Sequence, residues 1–281
     1  MGCPDHDARR HQGAPGLTTL GENSLARSGA IQRRVIGALL LREAITRYGR
    51  HGFGVLWIIL EPALFTLGVA GLWYLVRGNA VSNMPIVAFA ITGYSSVLMW
   101  RNTTNRCSKA IESNRPLMYH RNVNVLDIFL ARILLEWVGA TASIAALTIL
   151  FASVGAMEWP QDPWPIIGGW LLMAWFSLGL GLIVGALSEY SETVERTWPI
   201  ATYLLFPLSG AVFMVHWLPP AAREAVLWLP MVHGVEMIRH GYFGDLVPTY
   251  GDPVYFSCAN LVLMLIGLAL AREAGRRVRT R

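Results

Sequence analysis

Long stretches without a charged residue constrain the fold more than any other feature of this sequence. Five of them contain no Asp, Glu, Lys or Arg, and they cover residues 78–100, 137–157, 163–188, 197–222 and 253–271. A sixth apolar stretch, 52–76, contains only Glu61. A helix that crosses the hydrocarbon core of a bilayer needs about 20 apolar residues. The sequence therefore predicts an all-α integral membrane protein with six transmembrane helices, near 54–76, 85–100, 126–154, 164–187, 198–217 and 254–272.

The low content of charged residues supports the same fold class. Only 15% of the residues are charged, whereas a soluble domain usually carries about a quarter. So few charges cannot cover a globular surface, and most of this surface must therefore face lipid. This excludes a secreted domain, a soluble enzyme and a nucleic-acid binder, although the isoelectric point is about 9.4.

The distribution of basic residues predicts the orientation in the membrane. Most of the 23 lysines and arginines fall in the N-terminal segment, in the loop 101–125 and in the C-terminal tail. Six spans place these three segments on one side, and only Arg77, Arg223 and Arg239 fall on the other. Short basic loops remain in the cytoplasm. We expect a multi-pass protein of the bacterial inner membrane with both termini in the cytoplasm.

Four regions follow from these patterns. Residues 1–30 are polar and rich in Gly, His and Arg, and we expect a disordered cytoplasmic tail. Residues 31–50 predict an amphipathic helix in the cytoplasmic interface, with Ile31, Val35, Ala38, Leu39 and Ile45 on its apolar side. The alternative is a cap that only anchors the chain. Residues 51–272 form the six-span domain, and 273–281 a basic cytoplasmic tail.

The loop 101–125 has a charge pattern of its own. We expect a short helix over 103–114 that ends at Asn114-Arg115-Pro116, because the residue before proline disfavours the α conformation. Charged residues recur there at three-residue steps, at Arg106, Lys109, Glu112 and Arg115. The pattern is typical either of a plain connector or of a docking surface for a cytosolic partner.

The segment 218–252 is predicted to lie on the outer side without crossing the membrane. Its prolines favour two short helices, about 221–229 and 231–243. We expect re-entrant helices, which need protein or water to satisfy their backbone ends; the alternative is a helix pair flat on the outer leaflet. His233 and His240 lack neighbouring Cys or Asp ligands, so the sequence predicts no metal site.

No catalytic motif is present in the sequence. A Walker A sequence, H-E-x-x-H, G-x-S-x-G and G-x-G-x-x-G after a strand are all missing, so we predict no catalytic residue and no cofactor in this chain. A six-span protein of this kind is a channel, a secondary carrier or the membrane part of a machine powered by another chain. Arg132 and Glu136, inside the third span, form an i,i+4 pair able to neutralise each other.

Three segments carry a resemblance to a known family. In 42–62 the matching residues are Arg42, Glu43, Arg47, Tyr48, Gly49, Gly54, Leu56, Trp57, Glu61 and Pro62. In 110–136 they are Glu112, Asn114, Arg121, Asp127, Ala131, Arg132 and Glu136, and in 229–243 they are Pro230, His233, Glu236 and Arg239. These motifs resemble the type-2 ABC polysaccharide export permeases, most closely the capsular, KpsM-type exporters.

The resemblance implies a set of partners. Two copies of such a permease pair with two copies of a cytosolic ABC ATPase, which binds ATP and Mg²⁺. A lipid-linked polysaccharide passes between the two permeases, and a periplasmic adaptor and an outer-membrane export protein continue the route. An O-antigen or teichoic-acid exporter is the alternative within the family, and a non-transporting scaffold or sensor is the alternative outside it. The implied ATPase-docking residues are Arg42, Arg47, Arg106, Lys109, Glu112 and Arg115.

Aromatic residues in the predicted fifth span suggest a path for the sugar. At about 100° per residue, four of them fall within an arc of about 80°; they are Tyr203, Phe206, Phe213 and Trp217. Such rings can stack on sugars, although a lipid-facing or dimer-packing stripe is an equally simple interpretation. Further canal candidates are Trp57, Glu61, Trp73 and Tyr74. Candidates for the periplasmic exit or adaptor contact are His233, Glu236, Arg239 and His240.

Overall fold

The computed structural model describes residues 17–48, 60, 63–64, 66–69, 71–72, 75, 80–81, 84–118 and 123–280. The helices are α1 (Leu17–Tyr48), α2 (Ile86–Ser108), α3 (Ala110–Met118), α4 (Val125–Ser153), α5 (Pro163–Tyr190), α6 (Glu192–Leu205), α7 (Pro220–Leu227), α8 (Pro230–Phe243) and α9 (Pro253–Thr280). Two 3-10 turns cover Val215–Trp217 and Gly244–Leu246. Strands β1 (Ala80–Val81) and β2 (Met84–Pro85) form a short antiparallel hairpin before α2.

Helix α2 is the centre of the fold. Every residue from Ala88 to Trp100 is buried, and the helix packs against α4, α5 and α8. Two of its hydroxyl groups are satisfied within the helix, since the hydroxyl of Thr92 donates to the carbonyl of Ala88 at 2.8 Å and that of Ser96 to the carbonyl of Thr92 at 2.7 Å. The hydroxyls of Ser95 and Thr103 are buried without a hydrogen-bond partner among the residues that the structure describes.

Three helices in the described part of the chain are long and apolar enough to cross a membrane. They are α4, α5 and residues Pro253–Val278 of α9, with mean hydropathies of 1.8, 2.0 and 2.1. They coincide with the predicted spans 126–154, 164–187 and 254–272. The predicted span 85–100 lies within α2, which runs on to Ser108. Most of the predicted span 54–76 lies outside the described residues.

The predicted fifth span, 198–217, is not one continuous helix. Helix α6 ends at Leu205, and Phe206 donates the last helical hydrogen bond, to Thr202. Pro207 has no N–H with which to continue the ladder. Gly210 then adopts a φ of 85°, in the left-handed region that favours glycine. The segment 206–214 is therefore a series of turns, and the expected aromatic stripe across it is wrong.

The two predicted tails differ from the structure where they are described. Residues 17–30, expected to be disordered, belong to α1, and α9 continues through 273–280. Val35 and Leu39, expected on the apolar side of α1, are half-buried, together with Ile36, Leu40 and Glu43. Ile31 and Ile45, expected on the same side, are exposed. Since α1 packs on α4, contact with protein shifts the buried face relative to the amphipathic pattern.

The polar segments gather at two ends of the bundle. The basic end comprises α1, residues 101–118, the start of α4, the turn 189–192 and the C-terminal part of α9. There Arg115 pairs with Glu189 at 3.4 Å, and Arg277 lies 4.9 Å from the centre of the Tyr190 ring. The opposite end comprises the segments 154–162, 206–229 and 244–252. The segments predicted to share one side of the membrane therefore share one end of the molecule.

Helices α5 and α9 pack through glycines, and this contact gives a test of the fold. A Cβ atom at Gly267 would lie 2.8 Å from the carbonyl oxygen of Gly179 and 2.9 Å from the Cβ of Leu182. We predict that Gly267→Ala lowers the midpoint of thermal unfolding in detergent, because overpacking costs about 1–3 kcal/mol. The control is Gly168→Ala, whose nearest neighbour would be Met237 at 3.8 Å. It should leave the midpoint unchanged or higher; equal midpoints for both variants would refute this packing.

Candidate functional site

A buried arginine joins three elements at the basic end. Arg132 of α4 lies with its Nε 3.2 Å from Oε1 of Glu43 on α1. Its two terminal nitrogens donate to the carbonyl of Arg106 at 2.7 Å and to the hydroxyl of Ser113 at 2.6 Å. Arg132 thereby connects α1, the end of α2 and the short helix α3. A charge this deeply buried needs such partners, because desolvation alone would destabilise it.

A second ion pair lies one turn further along α4. Glu136 is 7% exposed, and its Oε1 lies 3.6 Å from Nε of Arg106. The sequence interpretation paired Arg132 with Glu136 on one helix. In the structure each has a partner from another helix, so the two charges join α4 to α1 and α2. The side chain of Arg106 is 42% exposed, so solvent screening weakens this pair.

The prediction of one short helix over 103–114 is wrong. The first part of this region belongs to the end of α2 and the rest to α3. Helix α2 ends at Ser108, Lys109 turns the chain, and α3 runs from Ala110 to Met118. Pro116 lies inside α3 and does not end it. The preference against an α conformation at Arg115 is overridden because buried Asn114 is held on both sides. Its amide donates to Ala110, and its oxygen accepts from Arg42 at 2.9 Å.

The six ATPase-docking candidates consequently differ in accessibility. Lys109, Glu112 and Arg115 are exposed and lie on or next to α3; we call these three residues the docking face. Arg42 is also exposed, although its guanidinium is bonded to Asn114. Arg106 is half-buried in the ion pair with Glu136. The side chain of Arg47 lies outside the described residues.

At the opposite end, one buried arginine of α8 holds the interrupted segment after α6. The guanidinium of Arg239 donates to the carbonyl of Gly210 at 2.6 Å, to that of Phe213 at 2.6 Å and to that of Ala211 at 2.9 Å. It also lies 4.3 Å from the centre of the Phe89 ring on α2.

Two further residues of α8 hold the neighbouring loops. The carboxylate of Glu236 accepts from the backbone N–H of Val215 at 3.4 Å and of Tyr250 at 3.1 Å. His233 bonds the carbonyl of Leu227 through Nε2 at 2.8 Å and accepts from the N–H of Asp252 through Nδ1 at 3.0 Å.

These contacts correct the expectation for the periplasmic exit. His233, Glu236 and Arg239 were predicted to face a glycan or an adaptor, but all three are buried and bond the chain's own backbone. His240 alone among the four candidates is exposed. The loops that the arginine and the glutamate hold were not identifiable from spacing. Pro207 and Gly210 were the available signals, since both oppose a continuous helix.

The canal candidates do not share one surface. Tyr203 is 62% exposed on α6, and the guanidinium of Arg101 lies 4.3 Å from its ring centre. Phe206 packs against Tyr94 at a ring distance of 5.3 Å. Trp217 is stacked on Phe89 of α2 at 5.5 Å. Phe213, by contrast, contributes its carbonyl to the contact with Arg239.

Four other canal candidates cannot be placed. Trp57, Glu61, Trp73 and Tyr74 lie outside the described residues. Helical positions nearby still reach the bundle, since Val69 packs against buried Tyr94 and Ala90 of α2.

Comparison with known proteins identifies the family. A family model described as ABC-2 type transporter matches residues 34–243, from α1 to the end of α8. The chain belongs to the ABC-2 type transporter family. Both arginine-centred contacts of this ABC-2 chain, around Arg132 and Arg239, fall inside the matched region. Membership makes the chain a membrane subunit of a transporter.

Individual relatives match this ABC-2 chain over nearly all of their length. It is 47% identical to the capsule polysaccharide export inner-membrane protein CtrC of Neisseria meningitidis, over 93% of this chain and 99% of that protein. It is 42% identical to the capsule polysaccharide export inner-membrane protein BexB of Haemophilus influenzae, over 90% and 95%. It is 29% identical to the polysialic acid transport protein KpsM of Escherichia coli, over 88% and 96%.

The geometry around Arg239 predicts a strict requirement for arginine. Arg239→Lys keeps the positive charge but loses the planar fork that reaches three carbonyls. Each buried acceptor left unsatisfied costs about 1–3 kcal/mol. We expect a lower midpoint of thermal unfolding and less protein in the membrane fraction. Exposed His240 is the matched control, and His240→Ala should change neither quantity; an unchanged midpoint in Arg239→Lys would contradict this assignment.

Proposed function

We propose that the chain is the inner-membrane permease subunit of an ATP-driven exporter of capsular polysaccharide. The observation that carries the proposal is the similarity to two named capsule export proteins, CtrC at 47% and BexB at 42% identity, over 90% or more of this chain. The fold supports it, because α4, α5 and α9 are apolar enough to cross a membrane. The substrate is a lipid-linked capsular polysaccharide that moves from the cytoplasm to the periplasm.

The proposed topology has six crossings with both termini in the cytoplasm. Helices α2, α4, α5 and α9 provide four of them, the region 54–76 the first, and α6 with the turns 206–214 the fifth. An interrupted crossing is tolerated where protein satisfies the backbone. The three hydrogen bonds from Arg239 to Gly210, Ala211 and Phe213 meet that requirement. Helices α7 and α8 re-enter from the periplasmic side, where α8 is buried against α5.

Energy comes from a separate protein in this proposal. Two copies of the permease associate with two copies of a cytosolic ABC ATPase, which binds ATP and Mg²⁺, and this chain supplies no catalytic group. The docking face of Lys109, Glu112 and Arg115 receives the ATPase. Motion of α3 reaches the membrane helices through Arg132, because its guanidinium bonds Ser113 of α3 and the end of α2. Glu43 extends the same connection to α1.

The sugar canal lies between the two permease copies. Among the aromatic candidates that the structure describes, Tyr203 is the exposed one, and the guanidinium of Arg101 lies above its ring. An aromatic face stacks on sugar rings without demanding a sequence, which suits a sliding polymer. At the periplasmic end, exposed His240 is the candidate for contact with an adaptor that leads to an outer-membrane export protein.

The docking face can be tested by reversing one exposed charge. Lys109→Glu should reduce copurification of the partner ATPase several-fold and lower the amount of capsule on the cell surface. Lys109 is exposed at the turn between α2 and α3, so this change should leave the midpoint of thermal unfolding unaltered. Salt screens interactions between surface charges, so the loss of copurification should be largest at low ionic strength and smaller at physiological ionic strength.

The matched control reverses an exposed arginine at the same end. Arg196 pairs only with its own helix, through Glu192 at 2.5 Å, in the part of α6 that the structure describes. Arg196→Glu should leave ATPase copurification intact. If Lys109→Glu retains full copurification and full export, the docking face is elsewhere.

The canal proposal separates Tyr203 from the packed aromatics. We expect Tyr203→Ala to reduce surface capsule at normal protein level, and Tyr203→Phe to retain export because the ring remains. Phe206→Ala should instead lower the protein level, since Phe206 fills space against buried Tyr94. Capsule staining normalised to membrane protein distinguishes the two effects. Full export by Tyr203→Ala would remove this residue from the sugar path.

A further inference from the structure

A cavity of about 620 Å³ lies at the basic end beside the docking face, and its lining includes none of the aromatic canal candidates that the structure describes. Its walls come from α1, α3, the start of α4, the end of α5 and the last turns of α9. One docking-face residue, Arg115, forms part of one wall. The functions proposed above assign no ligand to this space.

The cavity continues the most exposed apolar surface of the bundle. Only 22% of the apolar window of α9 is buried, compared with 61% for α5. Leu261 and Leu265 are 50% and 61% exposed along that face, and Leu268 follows them at the rim of the cavity. In a bilayer this face of α9 contacts acyl chains. A lipid beside α9 therefore has its headgroup at the level of the cavity.

Arginines stand where that headgroup would lie. Arg272 and Arg276 are exposed, line the cavity and are one helical turn apart on α9. Guanidinium groups bind phosphate oxygens through paired N–H donors, and they do so more specifically than ammonium groups. The lining also contains apolar side chains, those of Met118, Val123, Leu126, Ala271 and Val278.

The carboxylates of the cavity already have partners. Glu189 pairs with Arg115 at 3.4 Å. Asp127 accepts from the side chain of Gln32 at 3.0 Å and from the backbone N–H of Asn124 at 3.1 Å. In these contacts the two carboxylates bond residues outside α9, not Arg272 or Arg276.

One carboxylate next to the cavity belongs to α9 itself. Arg276 contacts Glu273 at 3.4 Å, and both side chains are more than half exposed. An exposed pair of this kind contributes at most about 1 kcal/mol, so a phosphate can replace it.

We propose that this cavity binds the phosphodiester headgroup of an anionic bilayer phospholipid, held by Arg272 and Arg276. The acyl chains run along Leu268 and the exposed face of α9. Basic pockets between membrane helices on the cytoplasmic side are suited to anionic lipids for the same electrostatic reason. The site requires a membrane-embedded chain but no particular exported sugar. The lipid-binding proposal can therefore fail while the proposed export function holds, and the reverse is also true.

Lipid titration of the purified full-length chain tests the site. Native mass spectrometry in detergent measures binding of dioleoyl phosphatidylglycerol and, in parallel, of dioleoyl phosphatidylcholine. The intact chain should bind phosphatidylglycerol at least five-fold more tightly. Arg272→Gln with Arg276→Gln should abolish that preference. The charge-matched control, Arg34→Gln with Arg196→Gln, removes two exposed arginines outside the cavity and should preserve it.

A second variant blocks the space without changing charge. Gly275 lines the cavity, and a Cβ atom there would lie 3.7 Å from Val125, an ordinary contact. Gly275→Leu should weaken phosphatidylglycerol binding as the double arginine variant does, at an unchanged midpoint of thermal unfolding. Equal affinity of the intact chain for both lipids would overturn the proposal. So would full phosphatidylglycerol preference in Gly275→Leu and in the double variant.

Discussion

The three hydrogen bonds donated by Arg239 are the interaction on which the interrupted half of the bundle depends. Carbonyl groups at Gly210, Ala211 and Phe213 point out of any helix, and an apolar environment gives such groups no solvent partner. The guanidinium satisfies all three at once and lies against the Phe89 ring on central α2. Helix α8 thereby anchors the turns after α6 to the middle of the fold.

A second buried arginine serves the basic end in a different way. Arg132 joins an acid on α1, a carbonyl at the end of α2 and a hydroxyl on α3. Arg239 holds one irregular segment in place, whereas Arg132 connects separate helices. A rigid connection of this kind suits a permease that receives force from outside the membrane. In the proposed function, the ATPase binds the exposed docking face and the buried contacts of Arg132 pass its motion to the membrane helices.

The patterns visible in the sequence predicted regular helices well and irregular ones poorly. Helices α4, α5 and α9 follow directly from apolar runs, and α7 and α8 follow from their prolines. The continuous helix expected for the fifth span was wrong, because an apolar run such as 198–217 looks the same in sequence whether or not its backbone is helical. Pro207 and Gly210 opposed a helix, but the irregular alternative is stable only because Arg239 comes from a distant segment. Likewise, the buried face of α1 depends on its packing against α4.

The sequence by itself was sufficient to predict that this protein lies in a membrane and to identify its family. Scarce charge and long apolar runs require a membrane, and local motifs near Trp57, Arg132 and Arg239 were sufficient to recognise an ABC-2 permease. The tertiary structure alone decided which charged residues are available to partners. Glu236 and Arg239 were expected at a surface, yet both are buried, whereas Lys109 is exposed. The physical reason is that a charged side chain is buried where distant segments supply backbone groups that hydrogen-bond it. Where they supply none, it stays exposed to partners.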